Sequence, residues 1–189
     1  MLERQIAARA TSSSVDIAEA ICGLHDADPT NLVDRLSHFL TLMTGISEFG
    51  LYLLRDNALK LATGVQDEQQ GSGPTLISAV DPLYGAVVGS RKILVATRPA
   101  DRALLDHHGI AIGPLLSQDS QRVIGMLRIG SDLVDFPEDI ERKCTLACAE
   151  ISRSLGRPAL LTALEVAPVA AGLKTDHSDQ SHAAGAVHT

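Results

Sequence analysis

The sequence predicts one small α/β domain in which antiparallel strand pairs alternate with helices. Three observations predict it. The chain has 189 residues, the size of roughly one domain of 100–200 residues, and its 45% hydrophobic and 21% charged content is that of a chain that folds around a core. Short apolar stretches meet at polar turns, at Asp56-Asn57 and at Ser117 to Gln121, as hairpin strands do. Between them, Asp-Pro pairs and glycines mark helix starts and ends.

Residues 1–14 are expected to form a flexible N-terminus, with Ser12 to Ser14 capping a helix that starts near Val15. Val15, Ala18, Ile21 and Cys22 are its expected apolar side, and Gly23 to Asp28 break it. Asp28-Pro29 restarts a helix, because Asp accepts from free N–H groups and Pro fits the first turn. Leu32, Leu36, Phe39, Leu40 and Met43 repeat at helical spacing until Gly45. Ile46 to Leu54 and Ala58 to Thr63 read as a hairpin, and Gln66 to Pro74 as a loop.

Asp81-Pro82 is a second cap-plus-Pro start, for a helix over Leu83 to Gly89 with Leu83, Tyr84, Val87 and Val88 on one face. Ile93 to Ala96 is a short strand, and Asp101 to His107 one or two helical turns. Ile110 to Leu116 and Arg122 to Ile129 are the strands of the second hairpin. The last core helix begins around Asp135-Phe136-Pro137, with acids in its first turn to suit the dipole. Ile140, Cys144, Ala147, Cys148, Ile151 and Leu155 form its stripe, and Gly156 and Pro158 stop it. The expected core domain spans 15–160. Residues 161–189, rich in Ala, Val, Gly, Ser and His without periodicity, read as a disordered tail.

Charge excludes some partners. The net charge is -7 with 16 basic residues, none in a run. Nucleic-acid binding and polybasic membrane contact both need concentrated positive charge. Trp is absent and aromatics are 3%, too few for base-stacking platforms. Cys22, Cys144 and Cys148 are odd in number and lack CxxC spacing, which fits a reducing, cytoplasmic compartment. No signal-type apolar segment opens the chain and no stretch is long enough to span a membrane.

The stretch from Asp81 to Ser131 resembles the second half of a GAF domain. The phrases that carry the likeness are Asp81-Pro82-Leu83-Tyr84-Gly85-Ala86-Val87, Ile93-Leu94-Val95-Ala96, Gly109-Ile110-Ala111-Ile112-Gly113-Pro114-Leu115 and Val123-Ile124-Gly125-Met126-Leu127-Arg128-Ile129-Gly130-Ser131. The order and spacing of elements extend it over Val15 to Gly156. The resemblance implies an antiparallel central sheet with helices on both faces. The first and last helices would pack together on one face and form a dimer bundle, with a ligand pocket on the other face under the middle helices. A narrower likeness, in Asp81-Pro82-Leu83 and Phe136, is to the GAF portion of PelD-type regulators of exopolysaccharide secretion. Their cyclic di-GMP sits on a separate degenerate GGDEF domain, which this chain is too short to hold.

Strand alternation places Ile124, Met126, Arg128 and Gly130 on one face. Free methionine sulfoxide reductases, which are GAF enzymes, carry two aspartates at the positions of Arg128 and Gly130 and a cysteine nucleophile in the pocket half. No cysteine lies between Leu24 and Lys143 here, so the expectation is no catalytic residue and no enzymatic activity. A bilin chromophore lacks its cysteine for the same reason. Arg128 in the pocket would favour an anionic ligand, because a guanidinium matches carboxylate or phosphate in a bidentate way.

Other candidates weigh less. His107-His108 point apart in an extended segment and form a poor metal pair. His177, His182 and His188 are irregularly spaced. Cys144 and Cys148 share a helix face, and Cys22 could lie across from them; small cysteines filling a helix seam are commoner than a three-thiolate site. Arg98-Pro99-Ala100-Asp101 matches the RxxD pattern of cyclic di-GMP inhibitory sites, outside the GGDEF context that would give it meaning.

The reading is a sensory or regulatory domain without cofactor or metal. It would bind a small cytosolic ligand among Leu83, Tyr84, Val87, Ile112, Met126 and Arg128. Tyr84 is the expected polar handle. The domain would signal as a homodimer or to a partner signalling protein, in cyclic-nucleotide or exopolysaccharide regulation. The alternative is a ligand-free interaction or dimerisation module.

Overall fold

In the computed structural model, residues 2–65, 74–105, 109–130 and 139–166 are described, with side chains between 14 and 164. Two long hairpins form the centre of one antiparallel sheet. Strands β1 (Phe49–Arg55) and β2 (Ala58–Val65) turn at Asp56 and Asn57, both left-handed with φ of 50° and 58°. Short polar residues tolerate that conformation, and two in succession give the turn whose twist suits a two-residue hairpin. Strands β5 (Ala111–Leu116) and β6 (Val123–Ile129) form the second hairpin. Short edges complete the sheet: β3 (Leu76–Ser78) pairs with β2, and β4 (Leu94–Val95) with β5. The order is β3-β2-β1-β6-β5-β4. Strand β3 falls where the sequence pattern suggested no element; its three residues are too few to show alternation.

Helix α1 spans Leu2–His25. It runs through Ser12 to Ser14 rather than starting after them, since Leu, Glu, Arg, Gln and Ala before them are good helix formers. Its buried side is also shifted from the expected one. Ala20 and Leu24 are buried and Ile17 and Ile21 pack against the core, while Val15, Ala18 and Cys22 are exposed. The i, i+3, i+4, i+7 set beginning at Ile17 is the one that meets α2.

Helix α2 is Leu32–Thr44, ended by Gly45 in the left-handed region (φ 77°) with its N–H on the Thr41 carbonyl. Its N-cap is Asn31, not Asp28. The Asp28 carboxylate instead accepts from the Thr30 N–H (2.8 Å) and hydroxyl (2.6 Å), folding an Asx turn ahead of the helix. At Asp81 the expected cap forms, with the Leu83 N–H donating to Oδ1 at 2.8 Å and Pro82 in the first turn.

That cap opens α3 (Pro82–Tyr84), which widens at once into a π-turn over Gly85–Gly89. Helix α4 is Pro99–Leu105. Helix α5 (Ile140–Leu155) buries all six residues of its expected stripe. Pro158 does not merely stop α5; it is the first residue of a further helix, α6 (Pro158–Val166), because a proline fits a first turn. That helix crosses residue 161, where the tail was expected to begin.

The sheet separates two layers. Register pairs Phe49, Leu51 and Leu53 with Ile129, Leu127 and Gly125, and these with Ala111, Gly113 and Leu115. This face meets α5: a Cβ built on Gly113 would lie 2.5 Å from Cys148 Sγ and 3.3 Å from Cys144 Sγ. Helices α1 and α2 pack on α5 and on each other. His25 Nε2 is 3.0 Å from the buried Glu150 Oε2, which Arg153 also meets, and the Arg157 guanidinium donates to the Ala27 carbonyl at 2.6 Å. These contacts join the end of α1 to α5. The π-turn packs against β5 and β6 on the opposite face. The result is an α+β sandwich with helices on both faces of an antiparallel sheet, as expected.

Candidate ligand site on the sheet face opposite α5

Arg128 is the unusual residue of the second face. Register puts it beside Gly50 on β1 and Ile112 on β5, in line with Met126, Tyr52 and Pro114 one step along. Its residue exposure is 3%, and its Nε is buried with no hydrogen-bond partner. No carboxylate pairs with it among the described residues. A buried cation without a partner is costly, by several kcal/mol in order of magnitude. Two glycines give the side chain its room. A Cβ at Gly50 would stand 3.2 Å from Nε, and one at Gly109 would stand 3.1 Å from Cγ.

Tyr52 lies next to this guanidinium and is fully buried. Its hydroxyl donates to the Pro74 carbonyl at 2.8 Å. Burial pushes its phenol up, and the Arg128 charge pulls part of that shift back. The sequence reading missed Tyr52. The alternation Gly50, Tyr52, Leu54 on β1 could have found it, once β1 was known to pair with β6.

The expected lining is brought to this side in part. Ile112 and Met126 are fully buried on the Arg128 face. Leu83 and Val87 are buried in α3 and the π-turn above it. Tyr84, the expected polar handle, is only half-buried and makes no hydrogen bond among the described residues; the π-turn after it changes the phase of the helix. Residues 66–73, 106–108 and 131–138 lie outside the described residues, and with them His107, His108 and Phe136. The same holds for the tail histidines His177, His182 and His188.

The other candidates resolve into structure. Arg98 and Asp101 of the RxxD pattern pair with each other, Nε to Oδ2 at 2.6 Å. Lys92 meets the other Asp101 oxygen at 2.6 Å, the Val95 N–H donates at 3.2 Å, and Arg98 also reaches Glu141 and the Ile93 carbonyl. Burial works to raise the Asp101 carboxyl; the Lys92 hydrogen bond, the Val95 N–H and both cations overcome it and hold it below the usual range. The pattern is a clamp on β4 and α4. Cys144 and Cys148 are buried against Gly113, whereas Cys22 is exposed, so α1 does not bring a third sulfur to them. The Cys148 thiol is pushed up by its hydrogen bond to Cys144 and by burial. No group of three or more metal-ligating side chains occurs among the described residues. None of the described helices is long and apolar enough to cross a membrane.

No family model matches this sequence. No curated protein matches it either. Solved structures do. The GAF domain of an Acinetobacter phosphoenolpyruvate-protein phosphotransferase is similar at TM-score 0.53 and 17% identity, over 82% of this chain and 95% of that one. The phycoerythrobilin-bound GAF domain from a cyanobacterial phytochrome is similar at TM-score 0.54 and 12% identity, over 81% and 98%. The fRMsr of Staphylococcus aureus, in complex with substrate, is similar at TM-score 0.51 and 20% identity, over 76% and 95%.

The last likeness corrects the expectation that this chain has no enzymatic activity. A free methionine-R-sulfoxide reductase is a GAF-fold enzyme, so the architecture accommodates catalysis. That no cysteine lies between Leu24 and Lys143 does not exclude chemistry, because activity resides in sites and not in folds. The sheet order, the two helical layers and these likenesses together establish that the chain has the GAF fold.

Proposed function

We propose that this chain is a sensory GAF domain whose ligand is a small cytosolic anion held by Arg128. The observation that carries the reading is a guanidinium on a 3% exposed residue with an unpartnered Nε. A carboxylate or phosphate would supply the missing partner in a bidentate pair. Ile112, Met126, Leu83 and Val87 would supply the apolar surround, which is the usual make-up of a small-molecule site. That a phytochrome GAF domain is solved with phycoerythrobilin bound supports a ligand-binding use of the fold. The change would pass through the sheet to α1, α2 and α5, and onward to a second copy or a signalling partner. Cyclic-nucleotide signalling and exopolysaccharide control are the settings to which the sequence resemblance points.

Titration of phosphate-bearing nucleotides and small carboxylic acids into wild type and Arg128→Ala tests this. Binding that is lost in the variant is expected. Equal behaviour of the two proteins would remove Arg128 from the site.

A second reading, an interaction or dimerisation module, draws on a different observation. Val15, Leu42 and Leu146 are 55%, 37% and 42% exposed on α1, α2 and α5. Size-exclusion with light scattering decides it: a clean monomer at micromolar concentration counts against a helical dimer face.

A further inference from the structure

A groove lies away from Arg128, at the β4 margin of the sheet. Strand β4 pairs with Ala111 and Ile112, and among the described residues β5 has no strand neighbour on that side from Gly113 onward. Between this uncovered edge, α5 and the segment after the π-turn is a groove of about 560 Å³. That volume is within the range of roughly 300–1,000 Å³ typical of small-molecule sites.

Ile93, Pro114, Leu116 and Ala149 give the groove an apolar wall. Arg91 and Arg153 stand at its rim. Arg153 is already paired with Glu150. Arg91 has no carboxylate partner among the described residues. Its two Nη groups donate to the carbonyls of Ser120 (3.2 Å) and Gln121, which hold it against the β5–β6 turn. A guanidinium has five N–H donors, so three remain for a ligand. The nearest acid on that turn, Asp119, accepts from the Ser117 hydroxyl and the Gln121 N–H.

An added strand does not suit this edge. Pro114 has no N–H to offer, and the Leu116 N–H is taken by Ser152 Oγ at 2.9 Å. A ladder would lack its donors there. An occupant with an apolar body and one negative group suits the apolar wall and the remaining N–H groups of Arg91.

We propose that this groove binds a small amphipathic organic anion, its carboxylate on Arg91 and its hydrocarbon body along Ile93, Pro114 and Leu116. The site is separate from the one at Arg128, on which it does not depend.

Calorimetric titration with sodium octanoate, and with octanol and octylammonium as uncharged and cationic counterparts, tests the proposal. Wild type is expected to bind octanoate at least tenfold more tightly than either counterpart. Arg91→Gln should weaken octanoate at least tenfold, and Ala149→Trp, at an exposed helix position that tolerates a larger side chain, should abolish binding by filling the groove. Lys60→Gln, which removes an exposed cation outside the groove, should bind octanoate as wild type does. Equal affinity for octanol, or undiminished binding in Ala149→Trp with its fold verified by circular dichroism, would overturn the proposal. So would loss of octanoate binding in Arg128→Ala alone, which would assign the anion to the site of the proposed function.

Discussion

Gly50 and Arg128 face one another across β1 and β6, and a Cβ on Gly50 would stand 3.2 Å from Arg128 Nε and 2.8 Å from Tyr52 Cε2. The glycine is what leaves space for a buried guanidinium beside a buried phenol. Gly50→Ala should therefore displace one or both side chains. Overpacking of this kind costs about 1–3 kcal/mol. Denaturant unfolding should read that loss, and any anion affinity measured for wild type should fall with it.

Removing the charge itself should have the opposite effect on stability. Arg128→Met keeps much of the volume and deletes a buried cation whose Nε is unpartnered and which has no carboxylate partner among the described residues. Replacing buried ionic groups with apolar ones is often neutral or stabilising by about 1–4 kcal/mol. The ligand-free variant should unfold at the same or a higher denaturant midpoint than wild type, while losing anion binding. A strongly destabilised Arg128→Met would mean that the guanidinium is a structural group.

Asp101 ties stability to acid pH. Its carboxyl is held below the ordinary value in the folded protein, so the unfolded chain binds the proton first as pH falls. The clamp's contribution is fully present above the unfolded value of about 3.9 and is lost as pH drops through the folded one. Asp101→Asn should cost about 1–3 kcal/mol at pH 7. It should also flatten the decline of the unfolding midpoint between pH 5 and 2. A variant that tracks wild type across that range would show that the clamp carries no such linkage.

The contact of β5 with α5 is set by the absence of a side chain at Gly113. Gly113→Ala brings a methyl 2.5 Å from Cys148 Sγ, and should cost about 1–3 kcal/mol. In a Cys148→Ala background the methyl has room, so the penalty should shrink. A coupling within about 0.5–3 kcal/mol is the expected result of the double-mutant cycle. Additive effects would place the strain elsewhere.

Much of the fold was legible locally. Asp56-Asn57, Gly45 and Asp81-Pro82 act within a few residues, so their backbone demands are visible in the letters alone. The stripe of α5 was equally plain, because one helix face with period 3.6 must find a core. The phase of α1 was misread: Val15 and Ile17 are both apolar, and only packing against α2 selects the set from Ile17. The short β3 and the helix begun by Pro158 carry too little pattern to be read without their neighbours.

For the site, alternation along β6 placed Arg128 and Met126 on one face, and the register confirms that they share it. What alternation could not show is that the guanidinium lies buried beside Tyr52, a residue 76 positions earlier in the chain. Nor could the letters of the RxxD pattern tell an inhibitory motif from an internal ion pair. The sequence by itself determined the elements, their caps and the faces within each strand, since these follow from contacts a few residues apart. Only the tertiary structure decided which faces meet and how Arg128 comes to lie buried beside Tyr52, since pairing across the sheet depends on segments far apart in the chain.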